Sequence, residues 1–391
     1  MSKHLLLTGA TGLVGQYLLR DFILQGKPMA VVVRSSERQS AQERVEEMLA
    51  FWEGELDVAL PRPVCLAGDV TVPGLGLTAD QRDWVEHHCD AVLHNAASLR
   101  LFGQDRSKDP WLSNLTGTAN VLDFCRQAAL RELHYVSTAY VCGRRTGLVR
   151  ESELDAGQDY HNDYERCKCE AEQLVRAADC FDSVTVYRPG IIVGDSQTGY
   201  TSTYHGLYLY LRWVWLFSQA TPREADGRYH APVRMNFTGE ESCHVVPVDW
   251  VASAIVHLVG HPERHGKTYH LTQQRPLTAR ALEEALAECF HYYGPTFVGP
   301  SAILREEWNE LEQAFYTMVS PYQQYWNPNL DFDAGNFQAA APHLPCPQID
   351  AAMLHRLVHF AIEDEWGRRK KKAPRATAKG PRTDPLKTPN R

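Results

Sequence analysis

No stretch of this chain reaches the ~18 consecutive uncharged apolar residues that a membrane-crossing helix needs, although 44% of its 391 residues are hydrophobic. The ten cysteines include no C-x-x-C pair and no zinc-knuckle spacing, and Cys167 and Cys169 are separated by Lys168 alone, too tightly for two ligands of one zinc ion. Neither a disulfide framework nor a metal site is therefore expected. There is no internal repeat, and Met1-Ser2-Lys3-His4 runs directly into an apolar segment without room for a signal peptide. Reduced thiols and a cytoplasmic location follow as expectations. Basic charge is scarce in the body of the chain, whose overall net charge is -8, but ten Lys/Arg stand against the single acid Asp384 between Arg368 and Arg391. With four prolines and almost nothing apolar, that tail cannot bury a core of its own. A solvated appendage is its simplest reading, and an arm for an acidic partner the sharper one. Nucleic-acid binding is not expected from the acidic remainder.

What is present begins with Leu5-Leu6-Leu7-Thr8-Gly9-Ala10-Thr11-Gly12-Leu13-Val14-Gly15. The leucines read as a buried strand, and Leu13, Tyr17, Leu18 and Phe22 recur at helical spacing. Strand, glycine turn and helix in this order predict a dinucleotide cradle. Gly9 allows the tight turn, Gly12 lets backbone approach a pyrophosphate, and Gly15 lets the helix pack on the strand. Met29-Ala30-Val31-Val32-Val33-Arg34 reads as the second parallel strand, whose end faces the adenosine ribose. An NAD-specific site places an acid there; this chain has Arg34, with Ser35, Ser36, Arg38 and Arg44 nearby. Guanidinium groups suit a 2′-phosphate, so NADP(H) is the expected cofactor.

Further strands end at Gly68-Asp69-Val70, at His94-Asn95-Ala96-Ala97 and at Val136-Ser137-Thr138. Asp69 is expected to cap a turn or to accept from adenine, and the small residues at 95–97 let a flat cofactor lie against backbone. A helix begins near Asn114, and strands alternating with helices at this spacing predict a doubly wound parallel sheet. Asn162-Asp163-Tyr164-Glu165-Arg166-Cys167-Lys168 places Tyr164 and Lys168 four apart on one helical face. An ammonium beside a phenol lowers the phenol's pKa and fits it for proton transfer near neutrality.

With these landmarks and Tyr187-Arg188-Pro189-Gly190-Ile191-Ile192-Val193-Gly194-Asp195, the chain resembles the extended short-chain dehydrogenase/reductase superfamily over residues 4 to 275. Val136-Ser137-Thr138-Ala139-Tyr140-Val141, Gly157-Gln158, the run from Gly190 to Gly199 and Phe332-Asp333-Ala334-Gly335-Asn336 make it most similar to the thioester reductase and fatty acyl-CoA reductase branch. The resemblance implies a catalytic set of Thr138, Tyr164, Lys168 and Asn114, with Thr138 holding the substrate oxygen and Asn114 supporting a proton relay. It implies cofactor contacts from Thr8, Gly9, Thr11, Gly12, Leu13, Val14, Gly15, Arg34, Arg44, Asp69, Val70, Asn95, Ala96, Ala97, Tyr164, Lys168, Pro189, Gly190 and Ile191. Cys167 stands where relatives carry serine.

The expected architecture is an α/β Rossmann-type sheet from residues 1–195 and 240–275, with a smaller, mostly helical substrate lobe from 196–239 and 276–366 and the basic tail from 367 to 391. Aromatics crowd Tyr200 to Phe217 and recur at Phe315, Tyr316, Tyr322, Tyr325 and Trp326; they either line an apolar acyl tunnel or pack a core. Asp249 is expected to cap a helix, and His87, His88 and His161 to lie at the surface. The implied activity is NADPH-dependent reduction of an acyl thioester, on coenzyme A or a carrier protein, to an aldehyde or further to an alcohol. The chain contains no adenylation or carrier segment, so the acyl group is expected in trans. Two rivals remain: the same chemistry on a ketone, sterol-like alcohol or nucleotide sugar, and a non-catalytic NADP(H)-binding regulator.

Overall fold

A computed structural model describes residues 3–368; the basic tail beyond lies outside the described residues. Seven strands form one parallel sheet: β1 (His4–Thr8), β2 (Met29–Val33), β3 (Val64–Ala67), β4 (Cys89–His94), β5 (Glu132–Val136), β6 (Ser183–Pro189) and β7 (Thr268–Leu271). Their spatial order is β7-β6-β5-β4-β1-β2-β3, so the chain starts in the middle, winds to one edge and then returns to the other. The point of reversal, between β1 and β4, is where a doubly wound sheet opens a crevice at its strand ends.

Alternation along each strand supplies the two faces. Leu5 and Leu7 of β1 join Val31, Val33 and Leu93 in a core shared with α1 (Leu13–Leu24), α2 (Ala41–Leu56) and α7 (Val248–Val259). Leu6 joins Ala30, Val32, Val92 and Leu133 on the other face, under α4 (Gly117–Gln127) and α5 (Asp163–Ala177). With both faces covered, the strands carry near-continuous apolar runs. The remaining helix of this layer, α3 (Ala79–His88), starts at a Thr78 capping box.

A separate aromatic-rich core is built by α6 (Tyr208–Ala220), α8 (Ala279–Phe290), α9 (Glu310–Gln323) and α11 (Ala351–Glu363), with short two-stranded ladders between them. Most of the aromatic runs go here: Tyr210, Trp213, Phe217, Phe315, Tyr316 and Trp326 are all buried in it. The division by residue range does not hold at α10 (Gly335–Ala340). Placed with the lobe by sequence, its Phe337 and Ala340 pack into the core of the sheet. Glu151 fastens this segment: its carboxylate accepts from the backbone amides of Asn336 (2.7 Å) and His270 (2.9 Å). Asp249 does not cap α7, which has no side-chain cap; it accepts instead from the amide and hydroxyl of Ser196, at 2.8 and 2.6 Å. His87 and His88 are exposed, whereas His161 is half-buried against Glu165.

Candidate active site

A cavity of about 500 Å³ opens at the carboxyl ends of the strands, lined from the turns after β1, β2, β3, β4, β5 and β6. Its floor at β1 is built by exclusion of side chains. Gly9 has φ +73°, and a Cβ there would lie 2.7 Å from the Ala96 backbone; one on Gly15 would lie 2.0 Å from the Gly9 carbonyl. Gly12 lines the cavity with its Cα bare, and α1 begins there without a side-chain cap. The first-turn amides of α1 are thus left for an anion. A pyrophosphate fits this cradle.

Gly9, Thr11, Gly12, Leu13, Val14, Arg34, Arg44, Asp69, Val70, Asn95, Ala96, Ala97, Pro189, Gly190 and Ile191 all line the cavity, as do Thr138, Tyr164 and Lys168. Three expected residues do not: Thr8, Gly15 and Asn114 stand behind it. The Thr8 hydroxyl is fully buried and accepts from the amides of Asn95 and Ala96, both at 3.2 Å, tying the β1 turn to the β4 turn. Gly15 is where α1 meets β1. Asn114 accepts from the Ser98 amide at 2.7 Å and donates to the Ser98 carbonyl (3.0 Å) and to Cys167 Sγ (3.3 Å). Its side chain braces the segment after β4 against α5, a supporting place and not a contact with ligand.

At the adenosine end, Arg44 donates to Thr11 Oγ1 at 3.0 Å and to the Arg34 carbonyl. Arg34 is 67% exposed and 3.6 Å from Asp69, which also caps its own turn by accepting from the Thr71 amide and hydroxyl. Ser35 and Ser36 accept from amides of their own loop, at Ala41 and at Arg38 and Gln39. Arg34 and Arg44 are the guanidinium groups that line this end of the cavity, and Arg38 is not among the lining residues.

At the other end, α5 starts where Asn162 accepts from the Glu165 amide, with Asp163 and Glu165 favouring its first turn. Tyr164 and Lys168 share the face turned to the cavity, yet their relation differs from the expected one. Lys168 Nζ donates to Tyr135 OH (2.8 Å) and to the Val136 carbonyl (2.9 Å). Burial, opposed by Cys167 and Glu172, brings its pKa down to about 8. The Tyr164 phenol is pushed well up, chiefly by burial; a hydrogen bond from Thr138 pulls it down by less. Tyr164 is therefore a protonated phenol at neutral pH. Lys168 keeps one of its three N–H donors unspent. Of the two hydroxyls after β5, Ser137 donates to Glu172 at 2.7 Å, leaving Thr138 beside Tyr164.

Sequence reading missed the support beneath this pair. Glu172 is fully buried and accepts from Ser137, Arg188 (2.7 and 3.1 Å) and Arg176 (2.8 Å). Its place one turn after Lys168 on α5 was the available signal. Leu99, Leu101, Thr203, His205, Tyr322 and Tyr325 close the cavity above Tyr164, with Tyr325 OH accepting from Asn162 at 2.8 Å. A second cavity of about 50 Å³, lined by Tyr210, Trp213, Phe315 and Trp326, lies in the aromatic core.

A parallel doubly wound sheet, a glycine turn at the start of α1 and Thr138, Tyr164 and Lys168 at the far end of the cavity together give the arrangement of the extended short-chain dehydrogenase/reductase fold. Residues 7–255 match the NAD-binding family described as male sterility protein, and the chain belongs to it. It is 31% identical to the isonitrile lipopeptide synthase of Streptomyces coeruleorubidus over 87% of this chain and 20% of that protein. It is 25% identical to the fatty acyl-CoA reductase wat of Drosophila melanogaster over 65% of this chain and 53% of that one. The chain thus spans a fifth to about half the length of these relatives. Among solved structures, the terminal R domain from the myxalamid PKS-NRPS biosynthetic pathway superposes with a TM-score of 0.73 at 25% identity, over 94% of this chain and 92% of that one. The superfamily and branch read from the motifs are the ones found. Among the described residues, no helix is long and apolar enough to cross a membrane.

Proposed function

We propose that this chain is an NADPH-dependent reductase of acyl thioesters carried on coenzyme A or a carrier protein. The observation that carries the reading is the pairing of a protonated Tyr164 with Thr138 at one end of the cavity while Arg34 and Arg44 stand at the other. The names of the relatives, a lipopeptide synthase and a fatty acyl-CoA reductase, support thioesters over other carbonyls.

In this reading Gly9, Gly12 and the start of α1 hold the pyrophosphate, Arg34 and Arg44 the 2′-phosphate, and Lys168 the nicotinamide ribose through its unspent N–H. Bound NADPH supplies a hydride to the thioester carbonyl carbon. Thr138 and Tyr164 hydrogen-bond the carbonyl oxygen as negative charge develops on it, stabilisation that a preorganised donor pair provides without reorganisation. Tyr164 gives that oxygen its proton, yielding a hemithioacetal. Breaking of the carbon–sulfur bond then releases an aldehyde, with the hydroxyl proton passing to the departing thiol.

Purified protein given acyl-CoA, acyl-carrier or UDP-sugar substrates with NADPH or NADH, followed by nicotinamide absorbance and product mass spectrometry, tests the assignment. Thioester-dependent NADPH loss with aldehyde is expected, and mass spectrometry reads any second reduction to alcohol. Turnover of a ketone or UDP-sugar with no thioester consumed overturns it, as does full activity in Tyr164→Phe.

A further inference from the structure

At the opposite end of β5 from Thr138, two side chains of that strand meet a third that is distant in sequence. Glu132 and His134 come from β5 itself, and His265 from the turn that leads into the edge strand β7. One potential ligand atom from each of Glu132, His134 and His265 lies within 4.8 Å of the others. The carboxylate oxygen is 2.6 Å from His134 Nε2 and 2.9 Å from His265 Nδ1.

The outer nitrogens decide what these contacts mean. His265 Nε2 is 3.0 Å from the Leu258 carbonyl, which only accepts, so the ring proton of a neutral His265 is held there. Its Nδ1 lone pair then faces a carboxylate lone pair. His134 Nδ1 is engaged 2.8 Å from Tyr187 OH, and the two imidazoles pack edge to face with centroids 4.7 Å apart. A neutral His134 donates its Nε2 proton to Glu132 and accepts from Tyr187 at Nδ1, so the unreconciled contact is that of His265 Nδ1, which either a second ring proton or a metal ion resolves.

We propose that Glu132, His134 and His265 form a binding site for one divalent transition-metal ion, with zinc the best fit. Two imidazoles and one carboxylate are zinc's usual ligand types, whereas magnesium and calcium require oxygen ligands. Each imidazole has its remote nitrogen anchored by a backbone carbonyl or a hydroxyl, the outer-shell arrangement that orients metal-bound histidine. Ligands about 2.1 Å from a tetrahedral zinc stand roughly 3.4 Å apart. Glu132 Oε1 therefore withdraws by about 0.8 Å from the His134 ring and about 0.5 Å from the His265 ring, which its one-third-exposed side chain permits. That exposure also leaves a side open for the ion and for water as fourth ligand. The bound ion ties the turn before β7 to β5 across β6, fastening the outermost strand of the sheet.

The test uses full-length protein stripped with a chelator and titrated with Co²⁺, then Zn²⁺. Expected are visible d–d bands saturating at one equivalent, their loss on adding zinc, and a higher melting temperature with either ion. His265→Ala and Glu132→Gln, chosen because His134 is fully buried and its removal endangers folding, weaken binding by at least about 100-fold, beyond the loss typical of an outer-shell change. Absence of cobalt bands, bands unchanged in both variants, or thiolate charge-transfer absorption placing the ion on cysteine each overturn the proposal.

Discussion

Replacing Lys168 by methionine separates the cost of a buried charge from its use. The lysine is 2% exposed, and its pKa falls from 10.5 to about 8. At 1.36 kcal/mol per pKa unit, keeping the ammonium charged below pH 8 costs the fold about 3 kcal/mol. Methionine removes that cost but forfeits the hydrogen bonds to Tyr135 OH and the Val136 carbonyl, worth about 1–3 kcal/mol each to a charged donor. Together the two bonds come to about 2–6 kcal/mol against about 3, so denaturant unfolding at pH 7 is expected to change by at most about 3 kcal/mol. Catalysis is not expected to be spared: kcat/KM falls by at least about 10-fold as the charge-assisted contact proposed for the nicotinamide ribose is lost. A second reading comes from pH. Wild-type kcat/KM declines above about pH 8 as the ammonium is lost, whereas Lys168→Arg, where it retains activity, shows no such limb, because guanidinium stays charged. A loss of more than 4 kcal/mol in Lys168→Met would show that the hydrogen bonds, not burial, dominate. A kcat/KM within threefold of wild type would remove the lysine from the mechanism.

Arg34→Ala is expected to lower kcat/KM for NADPH about 10- to 100-fold, the worth of one charge-assisted contact to phosphate, while NADH changes less than threefold; equal losses with both cofactors would contradict a 2′-phosphate contact. Glu172→Gln strands the buried Arg188 guanidinium, and breaking such a pair costs about 3–5 kcal/mol, read as a lower denaturation midpoint. Burial raises the Glu151 pKa from 4.5 to about 7. Between those values the native state binds more protons than the unfolded chain, so this group's stabilisation is complete below pH 4.5 and is lost as pH rises through 7. Melting temperatures of wild type and Glu151→Gln at pH 5 and 7.5 are expected to show a larger decline with pH in the wild type.

Features set by backbone geometry were legible in the sequence. A leucine run, glycines at fixed offsets and small residues after the fourth strand dictate a turn that only one local structure satisfies, and the crevice at the strand ends follows from topology. Residues whose role depends on where a side chain ends were less legible. Thr8 and Gly15 belong to the right segment but face away from the cavity, because period-two alternation in β1 and helical rotation in α1 turn them inward. Asn114 lies in a π-helical turn, Leu112–Thr116, whose wider winding departs from simple helical spacing. The Tyr164/Lys168 pair was found by its interval of four, but the interval says nothing of burial, and burial reverses the direction of the phenol's pKa. Glu132, His134 and His265 escaped notice because β6 and α7 intervene in the chain between residues that the sheet brings together.

A Cβ on Gly9 would strike the Ala96 backbone and one on Gly15 the Gly9 carbonyl, so neither position admits even a methyl group. Selection acting on this enzyme therefore has no freedom to reshape the phosphate cradle. If the proposed 2′-phosphate contacts hold, a change of cofactor preference would be written at Arg34 and Arg44 beyond β2, leaving the first turn of the fold undisturbed.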